Sequence, residues 1–247
     1  MDLLLEATYR AEREHFWFKG FRAFVAPLVA RAAAARAPRR LLDCGCGTGV
    51  NLPMLAQYGT AFGLDLTWTG LKFAKDHGVH RLTQASVVHV PFRDHAFDVV
   101  TCFDVLQCFP PDVGRSVLAE FRRILAPGGY LVMNVAALES LRGDHAVLAE
   151  EAHRYERGEL HAMIEATGFH VERLTFTNVS LFPIMLGTRW WQRRRGLRPA
   201  EDAHGEISIP SAPVNHALTA LLQCEASLLR RLDMPIGSSL LVLAQKR

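Results

Sequence analysis

A chain of 247 residues is long enough for one α/β domain with appendages, and a composition 49% hydrophobic and 21% charged excludes a disordered or fibrous chain. A formal net charge of +3 does not point to a dedicated nucleic-acid binder, whose domains usually show a dense basic face. No run of about 18 apolar residues occurs, and the opening Met1-Asp2-Leu3-Leu4-Leu5-Glu6 lacks the regions of a secretory signal. The five cysteines (Cys44, Cys46, Cys102, Cys108, Cys224) lie mostly in apolar, strand-like runs, which fits reduced thiols and a cytoplasmic protein.

In chain order, Leu3 to about Ala37 reads as helical, with Pro38 as its stop and an aromatic interlude at His15-Phe16-Trp17-Phe18. Arg40–Cys44 reads as a buried strand. A glycine-rich turn follows, then a helix over Val50–Tyr58 that tolerates Pro53 in its first turn. Thr60–Leu64 is a strand closing on Asp65, followed by a helix to about His77. Arg81–Ala85 and Phe97–Phe103 are strands, Val113–Leu125 a helix ending at Pro127-Gly128-Gly129, and Tyr130–Val135 another strand. Residues 138–158 are polar and rich in Glu, His and Arg. A helix over Gly158–Thr167, a strand over Phe169–Thr177, a helix over Asn215–Leu232 and a strand over Ser239–Ala244 complete the pattern. Strands alternating with helices predict a mostly parallel sheet with helices on both faces.

The glycine turn carries chemistry. After a strand, glycines let the backbone pass close to a ligand, and the next helix offers free N–H groups. The spacing is Gly45-x-Gly47-x-Gly49 preceded by Asp43, not the Gly-x-Gly-x-x-Gly expected for a pyrophosphate. Asp65 at the tip of the next strand is a carboxylate able to accept hydrogen bonds from ribose hydroxyls. Cys44-x-Cys46 has the look of a metal pair, but an isolated pair without further ligands reads as buried thiols, so no metal is expected.

These residues, with Val90-Pro91-Phe92, Phe97-Asp98-Val99-Val100 and Leu125-Ala126-Pro127-Gly128-Gly129-Tyr130-Leu131 following in order, resemble the class I S-adenosylmethionine-dependent methyltransferases over about Leu41–Val135. The resemblance, of the bacterial small-molecule type, implies a doubly wound, mostly parallel, seven-stranded Rossmann-like α/β sheet. It implies residues 38–247 as the cofactor domain, with an N-terminal helical lid over 1–37 and an insertion at about 179–214. It implies S-adenosylmethionine as cofactor and S-adenosylhomocysteine as product. By the same resemblance Gly45, Cys46 and Gly47 line the methionine and ribose, and Asp43 before them counts among the cofactor-binding residues. Asp65 holds the ribose hydroxyls, Leu66 lies against the adenine, and Phe103 and Asp104 sit beside the methionine end. Where relatives often carry an acid near the adenine amino group this chain has Ser86, whose hydroxyl and the Val87 N–H serve instead.

Methyl transfer needs an in-line approach to the sulfonium, and a base only when the acceptor has a proton to lose. His145, His153 and Tyr155, with His15 further off, are the candidates; a solvated helix face explains the two central histidines equally simply. Cys108 stands where several relatives carry a histidine, in Asp104-Val105-Leu106-Gln107-Cys108. The aromatic cluster Phe16-Trp17-Phe18 with Arg22 fits a lid over the cofactor or a helix packed on the sheet. In the insertion, Leu181–Leu186 is followed by Arg189-Trp190-Trp191-Gln192-Arg193-Arg194-Arg195 and Arg198. That run suits a peripheral membrane contact over 181–198, an anionic, partly apolar substrate, or stacking on nucleic-acid bases; a merely solvated face or a dimer contact is the plainer reading.

The expectation is methyl transfer to a small-molecule acceptor, apolar or anionic, with oxygen preferred over nitrogen or carbon on general frequency. A non-catalytic S-adenosylmethionine-binding module and an RNA or protein methyltransferase are the alternatives. No nucleic-acid partner is expected, since Phe109-Pro110-Pro111-Asp112 does not match the signature of base-amino methylation. Monomer and homodimer both stay open.

Overall fold

The computed structural model describes residues 2–34, 39–197 and 208–247. Helices α1 (Asp2–Ala11) and α2 (Phe16–Ala33) precede β1 (Arg40–Cys44). Then come α3 (Leu52–Ala56), β2 (Thr60–Asp65), α4 (Trp68–Asp76), β3 (Leu82–Gln84) and β4 (Phe97–Phe103). A 3-10 turn at Leu106–Cys108 leads to α5 (Pro111–Ile124) and β5 (Leu125–Ala136), and a second at Glu139–Leu141 leads to α6 (Asp144–Leu148). The chain closes with α7 (Arg157–Ala166), β6 (Phe169–Thr177), α8 (Phe182–Arg195), α9 (Ala212–Leu229) and β7 (Ser239–Lys246).

The strands form one seven-stranded sheet in the order β3-β2-β1-β4-β5-β7-β6. Only β7 runs antiparallel to its neighbours, paired with β5 and β6. The expected doubly wound, mostly parallel sheet is the one observed. Successive strand residues point to opposite faces, and the core divides accordingly. Leu42, Val100, Leu240 and Val242 face one layer, built with Phe121 of α5 and Leu160 and Ile164 of α7. Leu41, Val99, Leu241 and Leu243 face the other, built with Phe24 and Leu28 of α2, Leu52 of α3, Leu71 of α4 and Leu222 of α9. Cys44 belongs to the first layer and Cys46 to the second, so the two thiols point to opposite faces and do not share a ligand.

Several elements differ from expectation. Strand β5 begins at Leu125, not Tyr130: Leu125 pairs with Phe97 and Tyr130 with Val99, so Ala126–Gly129 form an irregularity within the strand. Helix α5 starts early because Pro111 fits its first turn. Helix α8 fills a stretch for which no helix was expected; its glycine, tryptophans and arginines show little apolar periodicity, and a helix there needs tertiary contacts. The end of the N-terminal helical region at Pro38 and the later part of the insertion, with Arg198, fall outside the described residues.

Strand order reverses between β1 and β4. Ligands of open α/β sheets bind at such a point, outside the carboxyl ends of the strands, and the glycine turn lies there.

Candidate functional site

The turn leaves β1 through Gly45, Gly47 and Gly49, with φ of 79°, 51° and 74°. At Gly45 the requirement is strict. Besides the positive φ, a Cβ there would lie 2.2 Å from Cγ2 of Val105, which closes on the turn two residues past the end of β4. Gly45 and Cys46 donate their N–H groups to the Leu64 carbonyl at 2.7 and 3.0 Å, which stitches the turn to the end of β2. The Cys46 thiol is buried and pushed well above its ordinary pKa, so this residue offers the site its main chain and not its sulfur.

Asp65 takes up the next N–H. Gly47 donates to its Oδ2 at 2.7 Å, while the Thr67 N–H and hydroxyl donate to Oδ1 at 2.8 and 2.6 Å. A carboxylate has about four lone-pair positions, so three of them are already engaged. Asp65 is thus first the link between the turn and β2. It can accept one ribose hydroxyl outright, and a second only in exchange for an internal donor. Beside it Leu66 is 66% exposed, an apolar surface at the strand end. Gln84 donates to the Leu66 carbonyl at 3.2 Å and fixes that surface. The Ser86 hydroxyl accepts from the Val88 N–H at 3.2 Å, which makes Ser86 a turn former as well as a candidate ligand. The Val87 side chain is buried in the core, so only its main chain can face a ligand.

Asp43 lies under the cradle. Its side chain is buried beneath the turn and accepts the Thr101 hydroxyl at 2.6 Å, supporting the cradle from below. Burial, reinforced by repulsion from Asp65, raises its pKa to about 7 against the Thr101 hydrogen bond. Across the crevice Phe103 meets Phe21 of α2 edge-on, ring centroids 5.2 Å apart. Asp104 adopts φ of 58° and is clamped by Asn134: its N–H donates to the Asn134 carbonyl at 2.9 Å, and the Asn134 amide donates to its Oδ1 at 2.7 Å. A non-glycine residue held in the left-handed region at the end of a central strand is a position over-determined by its surroundings.

The N-terminal aromatics separate into two roles. Phe16, Trp17 and Phe21 pack on the second core layer, as a helix lying on the sheet would. It is α1 that crosses the turn, with Leu5 in contact distance of Gly47. Tyr9 stacks on Phe73 and His77 of α4, with centroids 4.2 and 5.0 Å away. Just past α1, buried Glu12 accepts the Thr48 hydroxyl, and His77 Nε2 lies 3.7 Å from its other oxygen. Burial raises the Glu12 pKa more than Thr48 and the arginines Arg22 and Arg13 lower it. The stability this group contributes is therefore fully present below the unfolded carboxylate value and is lost as pH rises through the raised one. Glu12→Gln, which keeps an acceptor for Thr48, should bind α1 more firmly at neutral pH. Slower amide exchange in α1 than in the wild type would show this; unchanged or faster exchange would contradict it.

Of the proposed catalytic side chains, Tyr155 is overturned. It is fully buried in the first core layer, its hydroxyl has no hydrogen-bond partner among the described residues, and burial raises its pKa. Tyr155→Phe should leave activity intact and stability equal or up to about 1 kcal/mol higher, since it deletes an unsatisfied buried group; thermal unfolding and turnover check both. His145 lies partly buried on α6. His15 is the N-cap of α2, its Nδ1 accepting the Trp17 N–H at 3.1 Å, and burial lowers its pKa. His153 stays near the crevice: its N–H and that of Ala152 donate to the Gln107 carbonyl, three residues beyond Asp104. Its Nε2 lies 2.9 Å from Glu159. The Cys108 thiol, pushed up to about 12 by burial, is no base. Glu12, Thr48, Thr101, Gln107 and Asn134 were not anticipated.

With this geometry in view, the matches to known proteins are specific. A methyltransferase-domain family model matches residues 42–133. An uncharacterised protein of Methanocaldococcus jannaschii is 36% identical over 101 residues, 41% of this chain and 42% of that protein. The ubiquinone biosynthesis O-methyltransferase of Thiobacillus denitrificans is 30% identical over 172 residues, 60% of this chain and 73% of that protein. This chain belongs to the class I S-adenosylmethionine-dependent methyltransferases. The crystal structure of the [4+2]-cyclase SpnF matches with a TM-score of 0.59 at 20% identity, over 91% of this chain and 80% of that one, a likeness of fold. The chain spans less than half of the first relative and nearly three quarters of the second.

The residues present fit the family's cofactor. The positive-φ turn admits a ligand where a Cβ would intrude, Asp65 supplies a ribose acceptor, and exposed Leu66 supplies an apolar face for adenine. Buried acidic charge at Asp43 and Asp65 suits a cofactor that carries positive charge on its sulfonium and amino groups. Among the described residues no helix is long and apolar enough to cross a membrane.

Proposed function

We propose that this methyltransferase transfers the methyl group of S-adenosylmethionine to an oxygen of a small-molecule acceptor in the cytoplasm. The observation that carries the reading is the glycine turn tied by Gly47 to Asp65 at the sheet's switch point. The similarity to proteins named as ubiquinone biosynthesis O-methyltransferases supports oxygen as the acceptor atom. When bound, the cofactor supplies an activated methyl, so the protein's main task is to position the acceptor and exclude water. Asp104, held by Asn134, and the 149–153 segment, tied to Gln107, border the space beyond the turn. His153 takes up the acceptor's proton in this reading, with Glu159 orienting its ring.

Calorimetry with S-adenosylhomocysteine, followed by methyl-labelled cofactor on a panel of phenolic and carboxylic acceptors, tests the reading. Binding with transfer to oxygen is expected, and His153→Gln should lower turnover by about a hundredfold while leaving cofactor affinity in place. Binding without transfer to any acceptor would favour a non-catalytic module, and no binding would refute the site itself.

A further inference from the structure

We propose that the outer face of α8 docks this protein on an anionic phospholipid bilayer. Among the described residues the helix is held on one side. Leu181 and Met185 pack against the second core layer, buried Gln192 accepts from the Asp144 N–H and from Arg189, and Arg195 pairs with Asp144. The opposite side carries Ile184, 68% exposed, with Trp190 and Trp191, 50% and 63% exposed. Arg193 and Arg194 are exposed next to them, and the Arg194 guanidinium lies 4.5 Å over the Trp190 ring.

Charge sign and side-chain type select the partner. No acidic residue occurs from Leu181 to Leu197, so two copies meeting through this helix about a two-fold axis would set arginine against arginine. Nucleic-acid bases would stack on the indoles but leave Ile184 and Leu186 unused. An anionic bilayer engages all three kinds of side chain: aliphatic groups enter the acyl boundary, indoles sit at the headgroup level, and guanidiniums pair with phosphates. Its arginines and modest length keep α8 on the surface, and it does not qualify as a membrane span.

Co-sedimentation of the full chain with vesicles tests this without any methyl acceptor. The protein should pellet with phosphatidylglycerol-containing vesicles, stay largely in solution with pure phosphatidylcholine, and be released partly by added salt. Trp190→Ala with Trp191→Ala, and separately Arg193→Glu with Arg194→Glu, should each weaken binding by about tenfold or more. Unchanged S-adenosylhomocysteine affinity shows that each variant is folded. If one variant pair misfolds, the other still decides, and bromolipid quenching of wild-type tryptophan emission gives a third readout. Failure to pellet, or binding indifferent to both variants, overturns the proposal. So does a fall from dimer to monomer in the tryptophan variant, or tighter retention on RNA than on vesicles.

Discussion

Replacing Asp65 by alanine is expected to weaken S-adenosylhomocysteine binding by a hundredfold or more, the largest effect of any single substitution at the site. Two losses combine. The carboxylate is the ribose acceptor, and a hydrogen bond to a charged group is worth about 1.5–3 kcal/mol. The same carboxylate holds the Gly47 N–H and both donors of Thr67. Without it the middle of the turn loses its anchor to β2, and the ligand must then order the turn as well as bind to it. Thr67→Val separates the two contributions, because it removes one internal donor and leaves the acceptor. Its affinity should change by less than about tenfold. Calorimetry on the two variants checks this, and an Asp65→Ala protein that binds within tenfold of wild type would remove Asp65 from the cofactor site.

The contrast between residues foreseen and unforeseen has a physical basis. Gly45, Gly47, Gly49 and Asp65 were legible because their work is local: a backbone that no side chain may crowd, and a carboxylate at a strand tip. Strand alternation accounts for the two core layers, whereas Cys46, two residues past Cys44, departs from it because it lies in the turn beyond β1. Asn134 holding Asp104 and Thr101 holding Asp43 are contacts between separate strands, and nothing near either partner in sequence marks them. Tyr155 was misjudged because the polar stretch around it hides one inward-facing position, where its β-bridge partner Ala137 draws the chain onto the carboxyl end of β5. The aromatic cluster read equally as a lid or as a helix packed on the sheet; it is Leu5 and Tyr9 of α1, with Glu12 just beyond, that meet the turn and its neighbour α4, and their partners lie more than thirty residues away.

Asp43 gives the second large effect, one of pH. Its folded pKa of about 7 stands well above the ordinary aspartate value of 3.8. A carboxyl with a raised folded value contributes stability that is complete below the unfolded value and is lost as pH rises through the folded one. Across that window the loss amounts to at most about 4 kcal/mol, taking about 1.4 kcal/mol per unit. Asp43→Asn keeps an acceptor for the Thr101 hydroxyl and cannot ionise, so between about pH 4 and pH 8 its stability should fall by less than that of the wild type. Cofactor binding runs the other way. Ionised Asp43 favours a cation nearby, so affinity for S-adenosylmethionine should rise through about pH 7, with proton release on binding. The rise should be shallower for S-adenosylhomocysteine, which lacks the sulfonium charge. Denaturant unfolding at several pH values, and calorimetry in buffers of different ionisation heat, measure the two halves separately. A wild type as level as Asp43→Asn would place the carboxylate's ionisation outside the folding equilibrium, and equal slopes for the two cofactors would remove the sulfonium from its neighbourhood.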